Sequence, residues 1–234
     1  MSLVPGAVNF RDVGGLPAGR GHTRERVLYR SGNLAGVDDA ARSAFRELGV
    51  QRIIDLRSDD EVAHAPSRIP DVETLRVPLF LGSVTSFFVE DVSLSQLYRA
   101  MLERSGDRLV TAVRGILGAQ AVVVHCTVGK DRTGLTVALA LAAAGVDEDA
   151  VVEDYARTEQ NLPAWRGDRM LARIRAAYPQ ARHLEELATK SPAPVMRGVL
   201  DELRSQHGSA AGYLRAHGLG EHELTSLRRI LIEE

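Results

Sequence analysis

The stretch His125-Cys126-Thr127-Val128-Gly129-Lys130-Asp131-Arg132-Thr133-Gly134 decides the reading of this chain. It follows an apolar run, Ala121-Val122-Val123-Val124, that reads as a buried strand, and it leads into a helical stretch from Thr133 to Ala144. Cys126 is the only cysteine among the 234 residues. A lone thiol thus sits on a short strand-to-helix loop, with Arg132 closing the loop. Backbone N–H groups of such a loop can point inward as an anion-binding nest, and the positive end of the helix dipole adds to them. Both favour a thiolate over a thiol. The same N–H groups suit the three oxygens of a phosphate, with Arg132 as a planar, two-pronged clamp. A lone cysteine at a strand end is more often a small core hydrophobe. Arg132 at this spacing is what turns the reading to a nucleophile.

The bulk numbers narrow the setting. Hydrophobic content of 44% and charged content of 26% are those of an ordinary globular protein. A formal net charge of −2 argues against a nucleic-acid binder. One cysteine excludes an internal disulfide framework and suits a reducing compartment. No apolar run approaches the ~18 residues of a membrane span, so no stable membrane insertion is expected. No secretory signal is visible at the N-terminus. A cytoplasmic location is the expectation, with export by a signal-independent route left open.

Strand and helix signals alternate as far as residue 145. Val27 to Arg30 is β-like, and Asp38-Asp39 reads as the cap of a helix running to Leu48, stopped by Gly49. Ile53 to Leu56 reads as a short buried strand. A turn at Pro66 and Pro70 precedes a β-like stretch from Thr74 to Leu79, and Leu94 to Leu117 has helical spacing broken near Gly106. The pattern predicts an α/β fold, a mainly parallel central sheet flanked by helices. From Asp147 onward no strand signal appears. Helices are expected over 147–160, from Pro163 to 178, and over 183–189, 194–206, 210–217 and 222–232. No linker or repeat separates the halves, so residues 1–234 read as one domain with a helical C-terminal half packed on the sheet. Met170, Leu171, Ile174 and Ala177 share a helical face that reads as core packing, and Arg166, Arg169, Arg173 and Arg175 in the same stretch read as a solvated face.

A cysteine, five residues, an arginine and a hydroxyl residue resemble the signature loop of the protein tyrosine phosphatase superfamily. The fuller string from His125 to Gly134 resembles the loop of its bacterial members with a Gly-Lys-Asp-Arg segment, whose better-known relatives act on phosphotyrosine and phosphoinositides. Asn9-Phe10-Arg11-Asp12-Val13-Gly14-Gly15 is similar to that family's opening motif. Gly208 to Leu214, followed by Gly218-Leu219, is similar to its closing motif. The resemblance implies a cap or lid formed by helical elements within about 147–207. It also implies that His125 fixes the loop and that the Thr133 hydroxyl donates to the thiolate.

The chemistry these residues allow is phosphoryl transfer without a metal or cofactor. The loop N–H groups of Thr127, Val128, Gly129 and Gly134, with Arg132, would neutralise a phosphate dianion and stabilise its equatorial oxygens in the transition state. Cys126 would attack in line and form a cysteinyl-phosphate, and a carboxylic acid would protonate the leaving oxygen. Lys130 would raise the local potential and favour substrates with several phosphates. The acid is the least determined part. Asp55 lies at a predicted strand end, in a family-like stretch Asp55-Leu56-Arg57-Ser58, on the edge where parallel sheets hold their sites. Asp131 lies inside the loop and stands close behind it; the alternative for either is a salt-bridge or capping role, Asp55 with Arg57 or Arg30 and Asp131 with Lys130, and Asp91 is a third choice from spacing alone. The expected partner is a phosphorylated protein or a phosphoinositide, hydrolysed as a phosphate monoester. A rhodanese-like sulfurtransferase and a catalytically weak module that only holds phosphorylated ligands are the competing readings.

Overall fold

The computed structural model describes residues 2–67, 69, 72–79, 89–162 and 164–234, without the side chains of Ala40 and of residues 164–170. Among these residues the first half carries strands β1 (Arg11–Asp12), β2 (Pro17–Ala18), β3 (Gly21–Thr23), β4 (Leu28–Ser31), β5 (Arg52–Asp55), β6 (Glu73–Arg76) and β7 (Val122–His125). Between them lie helices α1 (Asp39–Glu47), α2 (Asp59–His64), α3 (Leu94–Arg104) and α4 (Gly106–Leu117). After the signature loop come α5 (Asp131–Ala144), α6 (Glu148–Asn161), α7 (Ala164–Ala177), α8 (Leu184–Thr189), α9 (Ala193–His207), α10 (Ala210–Ala216), α11 (Glu221–Leu231) and a last strand, β8 (Ile232–Glu233).

The main sheet has the order β1-β4-β7-β5-β6. Its four longer strands run parallel, and only β1 is antiparallel. Every residue of β4 and β7 is buried, as expected of parallel strands covered on both faces. The alternation of side chains divides the core. Leu28, Ile54, Val122 and Val124 face a large cluster that also contains Tyr98, Met101, Leu135, Leu139, Leu203, Leu214 and Leu227, so helices from both halves of the chain meet on one face. Tyr29, Ile53 and Val123 face the opposite cluster, where Phe10 sits 5.6 Å from the Tyr29 ring and 5.5 Å from Phe45. Register then sets the site. Ser31 and Asp55 are both paired with His125, the residue before Cys126, at the C-terminal edge of the sheet.

The expected α/β architecture is present, with several local differences. Asp38 caps α1 by accepting from Ala41 N at 2.9 Å, and the predicted break near Gly106 is real. There a Cβ on Gly106 would fall 2.0 Å from the His217 ring, so the second half of the chain dictates the glycine. The sequence shows no strand signal in the C-terminal half, yet Ile232–Glu233 pairs with β3 to complete a small sheet in the order β2-β3-β8. Two residues are too few to show a period. On α7, Leu171 and Ile174 are only half buried, Ala177, Arg173 and Arg175 are exposed, and none of the five belongs to either cluster. Among the described residues, then, that face does not pack onto the core. Pro70 and Pro163, and the side chains of Arg166, Arg169 and Met170, lie outside the described residues.

Candidate active site

Cys126 follows β7 directly and is 2% exposed. Its Sγ accepts a hydrogen bond from Gly129 N at 3.3 Å. The N–H groups of Thr127, Val128, Lys130 and Asp131 have no acceptor among the described residues, and α5 begins without a side-chain cap. A strand end, a tight turn and an uncapped helix thus leave a run of N–H donors without acceptors, among the described residues, on either side of the Gly129 N–H that reaches the sulfur.

The turn is held from behind. Gly129 has φ +76°, and a Cβ there would lie 2.5 Å from the Ser31 carbonyl, so only glycine fits. Its carbonyl accepts from Asn9 Nδ2 and from Arg30 Nη2, both at 3.0 Å. Arg30 is buried and paired with Asp154 at 2.6 Å, and Arg11 takes the other Asp154 oxygen at 2.8 Å. Burial works to raise the Asp154 carboxyl, but the charges of Arg30 and Arg11 outweigh it and hold it below the ordinary carboxylate range. The opening motif therefore acts through Asn9 and Arg11 as a brace between the loop and α6.

Arg132 lies at the front. Glu61 of α2 grips it end-on, with Oε2 2.7 Å from Nη1 and Oε1 2.7 Å from Nη2. A second Nη1 donor reaches the Leu56 carbonyl at 3.4 Å. A guanidinium has five N–H donors. The two left over, Nε–H and one Nη2–H, lie on the same edge and have no partner among the described residues, an edge that matches two oxygens of a phosphate. Glu61 also accepts from the Thr127 hydroxyl and from Ser58 N, the latter at 2.9 Å as part of a capping box. Burial opposes its charge, but the bonds and charge of Arg132 hold the Glu61 carboxyl down at about 2.

Asp55 sits behind this pair. Arg57 donates to it from N, Nε and Nη2 at 3.0, 2.9 and 2.8 Å, and Asp55 is 2% exposed. Burial alone would raise its pKa, yet the Arg57 bonds and the neighbouring His125 bring it below the ordinary carboxylate value. Arg57 extends the link to the carbonyl of Ala65 at 2.7 Å and to Ser67 Oγ at 2.9 Å, at the far end of α2. The Asp55-Leu56-Arg57-Ser58 stretch is in this way the mount that presents Glu61 to Arg132. His125 is wholly buried. Its Nδ1 lies 3.3 Å from the Cys126 carbonyl, which can only accept, so Nδ1 carries the proton. Burial, opposed by Asp55 and aided by Arg57 and Arg132, brings its pKa to about 4 and keeps it neutral.

Asp131 is the first residue of α5. Its Oδ1 forms an ion pair with Lys130 Nζ at 2.8 Å and accepts a hydrogen bond from the Tyr98 hydroxyl at 3.1 Å; its Oδ2 has no partner among the described residues. Lys130 is fully buried, and its Nζ also donates to the carbonyls of Lys190 and Glu186 at 2.9 and 3.3 Å, at the C-terminal end of α8. Its charge, expected to face the phosphate, is spent here on tying the loop to the helical half. Thr133 Oγ1 is buried and has no partner among the described residues. Gly134 is under the Tyr155 ring, where a Cβ would come within 3.0 Å. Asp91 is remote in role: its carboxylate accepts from Arg182 N and Nε at 2.6 and 2.7 Å.

The profile of the tyrosine phosphatase family matches residues 3–233. The chain belongs to the tyrosine phosphatase family. It is 32% identical to a triple specificity protein phosphatase, PtpB, of Mycobacterium tuberculosis, over 98% of both chains. It is 32% identical to a tyrosine-protein phosphatase of Nostoc commune over 86% of this chain and 73% of the other. A solved structure of P. aeruginosa TpbA overlaps 72% of this phosphatase and 88% of its own chain at 20% identity, with a TM-score of 0.39 that is too low to carry weight. The protein is a phosphatase, a hydrolase of the tyrosine phosphatase family.

The sequence alone does not mark two parts of the phosphatase site. Glu61 stood in view as the last member of Ser58-x-x-Glu61, a capping-box pattern. That pattern announces a helix start and says nothing of Arg132. Tyr98, on α3, carried no signal beyond an apolar helical position. Among the described residues no group of three His, Cys, Asp or Glu side chains is placed to hold a metal ion, and no helix is long and apolar enough to cross a membrane.

Proposed function

We propose that the chain is a single cysteine-phosphatase domain that hydrolyses phosphate monoesters, phosphotyrosine among them, through a cysteinyl-phosphate. The observation that carries this reading is the Cys126 sulfur under a Gly129 N–H, inside a turn of unpaired N–H groups and beside an Arg132 whose side edge is open. The Cys126 thiolate attacks phosphorus in line as the bond to the leaving oxygen breaks. The loop N–H groups and Arg132 take up the charge of the equatorial oxygens. Thr133, buried with a hydroxyl that has no partner among the described residues, donates to the sulfur. Water then attacks the cysteinyl-phosphate and releases phosphate and free thiolate.

Asp131 is the general acid in this reading, in place of Asp55. Asp55 has both oxygens engaged by Arg57 and is closed off from solvent. Asp131 has one oxygen fixed and the other open, and its side chain is 22% exposed. It gives its proton to the leaving oxygen and, as carboxylate, takes one from the attacking water.

A relative named for triple specificity supports a site that is not restricted to phosphotyrosine. Phosphoinositide turnover belongs to the same proposal. It requires Lys130 to leave the carbonyls of Glu186 and Lys190, so that α8 acts as part of a cap. Rapid quench with a 32P-labelled phosphopeptide tests the core of the reading. Label should appear on Cys126 within one turnover and be absent from Cys126→Ser, which should also lose turnover. Turnover with no labelled intermediate and an active Cys126→Ser variant would refute it.

A further inference from the structure

We propose that Tyr98, backed by Tyr155, is a positioning residue that fixes Asp131 for proton transfer, a role that rests on Asp131 being the general acid. Tyr98 is wholly buried on α3, and its hydroxyl lies 3.1 Å from Asp131 Oδ1 and 2.8 Å from the Tyr155 hydroxyl. A hydroxyl has one proton, and Oδ1 of a carboxylate only accepts. The Tyr98 proton therefore goes to Asp131, and the Tyr155 proton goes to the Tyr98 oxygen. The result is a one-way chain of donors from α6 through α3 to the first residue of α5.

The two hydroxyls are not explained by packing. Phenylalanine would fill the same space without burying a polar atom, whose satisfaction has to be arranged. The rings meet edge to face, with centroids 6.0 Å apart and planes at 72°, a contact that Phe would keep. What the hydroxyls add is a hydrogen bond to the same oxygen that Lys130 holds in an ion pair at 2.8 Å. The ion pair and the hydrogen bond together hold the carboxyl against rotation about its own bond. Oδ1 is the anchored oxygen, and Oδ2 is left as the one that carries the catalytic proton. Charged neighbours of Asp131 are Lys130 and Arg132, both cations on the loop itself; the Tyr98–Tyr155 pair is the neutral side of the cradle. Burial pushes the Tyr98 hydroxyl well above its ordinary value, which keeps it a donor.

The test is leaving-group dependence in Tyr98→Phe, Tyr155→Phe and Asp131→Asn. A misplaced general acid hurts a poor leaving group and spares an activated one. Tyr98→Phe should lower kcat on phenyl phosphate ~10-fold and on an activated aryl phosphate less than ~2-fold. Tyr155→Phe should show the same signature at a smaller size, which keeps the proposal testable if Tyr98→Phe folds poorly. In an Asp131→Asn background, Tyr98→Phe should add nothing on phenyl phosphate, because the two act as one unit. If Asp131→Asn shows leaving-group dependence while both Phe variants lose equally on the two substrates, or lose nothing, Tyr98 is a core residue and this inference falls alone. If Asp131→Asn itself shows no leaving-group dependence, the general-acid reading falls and takes the inference with it.

Discussion

Glu61 and Arg132 form an end-on, two-pronged ion pair with both contacts at 2.7 Å, and the pair spends the guanidinium edge that a phosphate does not need. On the proposed mechanism the carboxylate is not a tenant of the phosphate site. It is a fixture that aims the free Nε and Nη2 donors.

The first prediction follows from that distinction. Glu61→Gln keeps the shape and removes the charge, so Arg132 loses the partner that sets its plane. The kcat on phosphotyrosine peptide should fall ~10- to 100-fold, below the loss caused by removing a transition-state donor outright. Vanadate affinity should fall with it. A variant with tighter vanadate binding and unchanged or higher kcat would mean that Glu61 competes with phosphate, and the positioning account would be wrong.

A second prediction concerns the brace behind the loop. Asp154→Ala leaves Arg30 buried with its charge unpaired. Removing one partner of a buried pair costs ~3–5 kcal/mol, because the remaining charge has no compensation. Urea unfolding should show a loss of that order, and phosphatase activity in the folded fraction should drop as well, since Arg30 also anchors the Gly129 carbonyl at 3.0 Å. A loss below about 1 kcal/mol with full activity would show that Arg11 and Arg30 find other partners and that the brace is not under load.

The fold was largely legible because its signals are local. Four buried residues in β7, a glycine-bearing turn and an apolar helix follow one another along the chain, and each has its own pattern. Cys126 and Arg132 were legible because both lie in one ten-residue stretch. The rest of the site was not, because it is assembled by pairing across distance. Asp55 and Glu61 lie six residues apart and take opposite stations. Asp55 is locked to Arg57 inside the sheet edge, while Glu61 reaches Arg132 at the front. Nothing in the spacing separates a carboxylate that mounts a helix from one that clamps the arginine. Lys130 illustrates the same limit: its charge could be read, but the carbonyl oxygens of residues 186 and 190 that consume it lie in and just after another helix. The closing motif proved structural for a comparable reason. Ser209 caps α10 through Gly212 N at 3.0 Å, and Tyr213 Oη donates to the Leu102 carbonyl at 2.7 Å, so its pattern records packing.

The last prediction concerns pH. His125 is neutral in the folded protein, with a pKa brought to about 4, against an ordinary value near 6.5. Burial is the main cause; Asp55 opposes it, and Arg57 and Arg132 add to it. Between pH 6.5 and 4 the unfolded chain holds more protons at this position than the folded one, so protonation favours unfolding. The stabilising contribution is therefore complete above pH 6.5 and is lost as pH falls toward 4, by up to ~3 kcal/mol. Asp55, whose pKa is held below its ordinary value, adds a further loss in the same direction at lower pH. Stability should decline from pH 6.5 to 4 in urea titrations, and His125→Asn, which cannot titrate, should decline less over that window. The imidazole 15N resonances should report the Nδ1–H neutral tautomer at pH 6. A charged His125 at pH 6, or a variant with the same pH slope as the parent, would refute the assignment of His125 as a buried neutral brace that holds the Cys126 carbonyl and leaves the sulfur free to react.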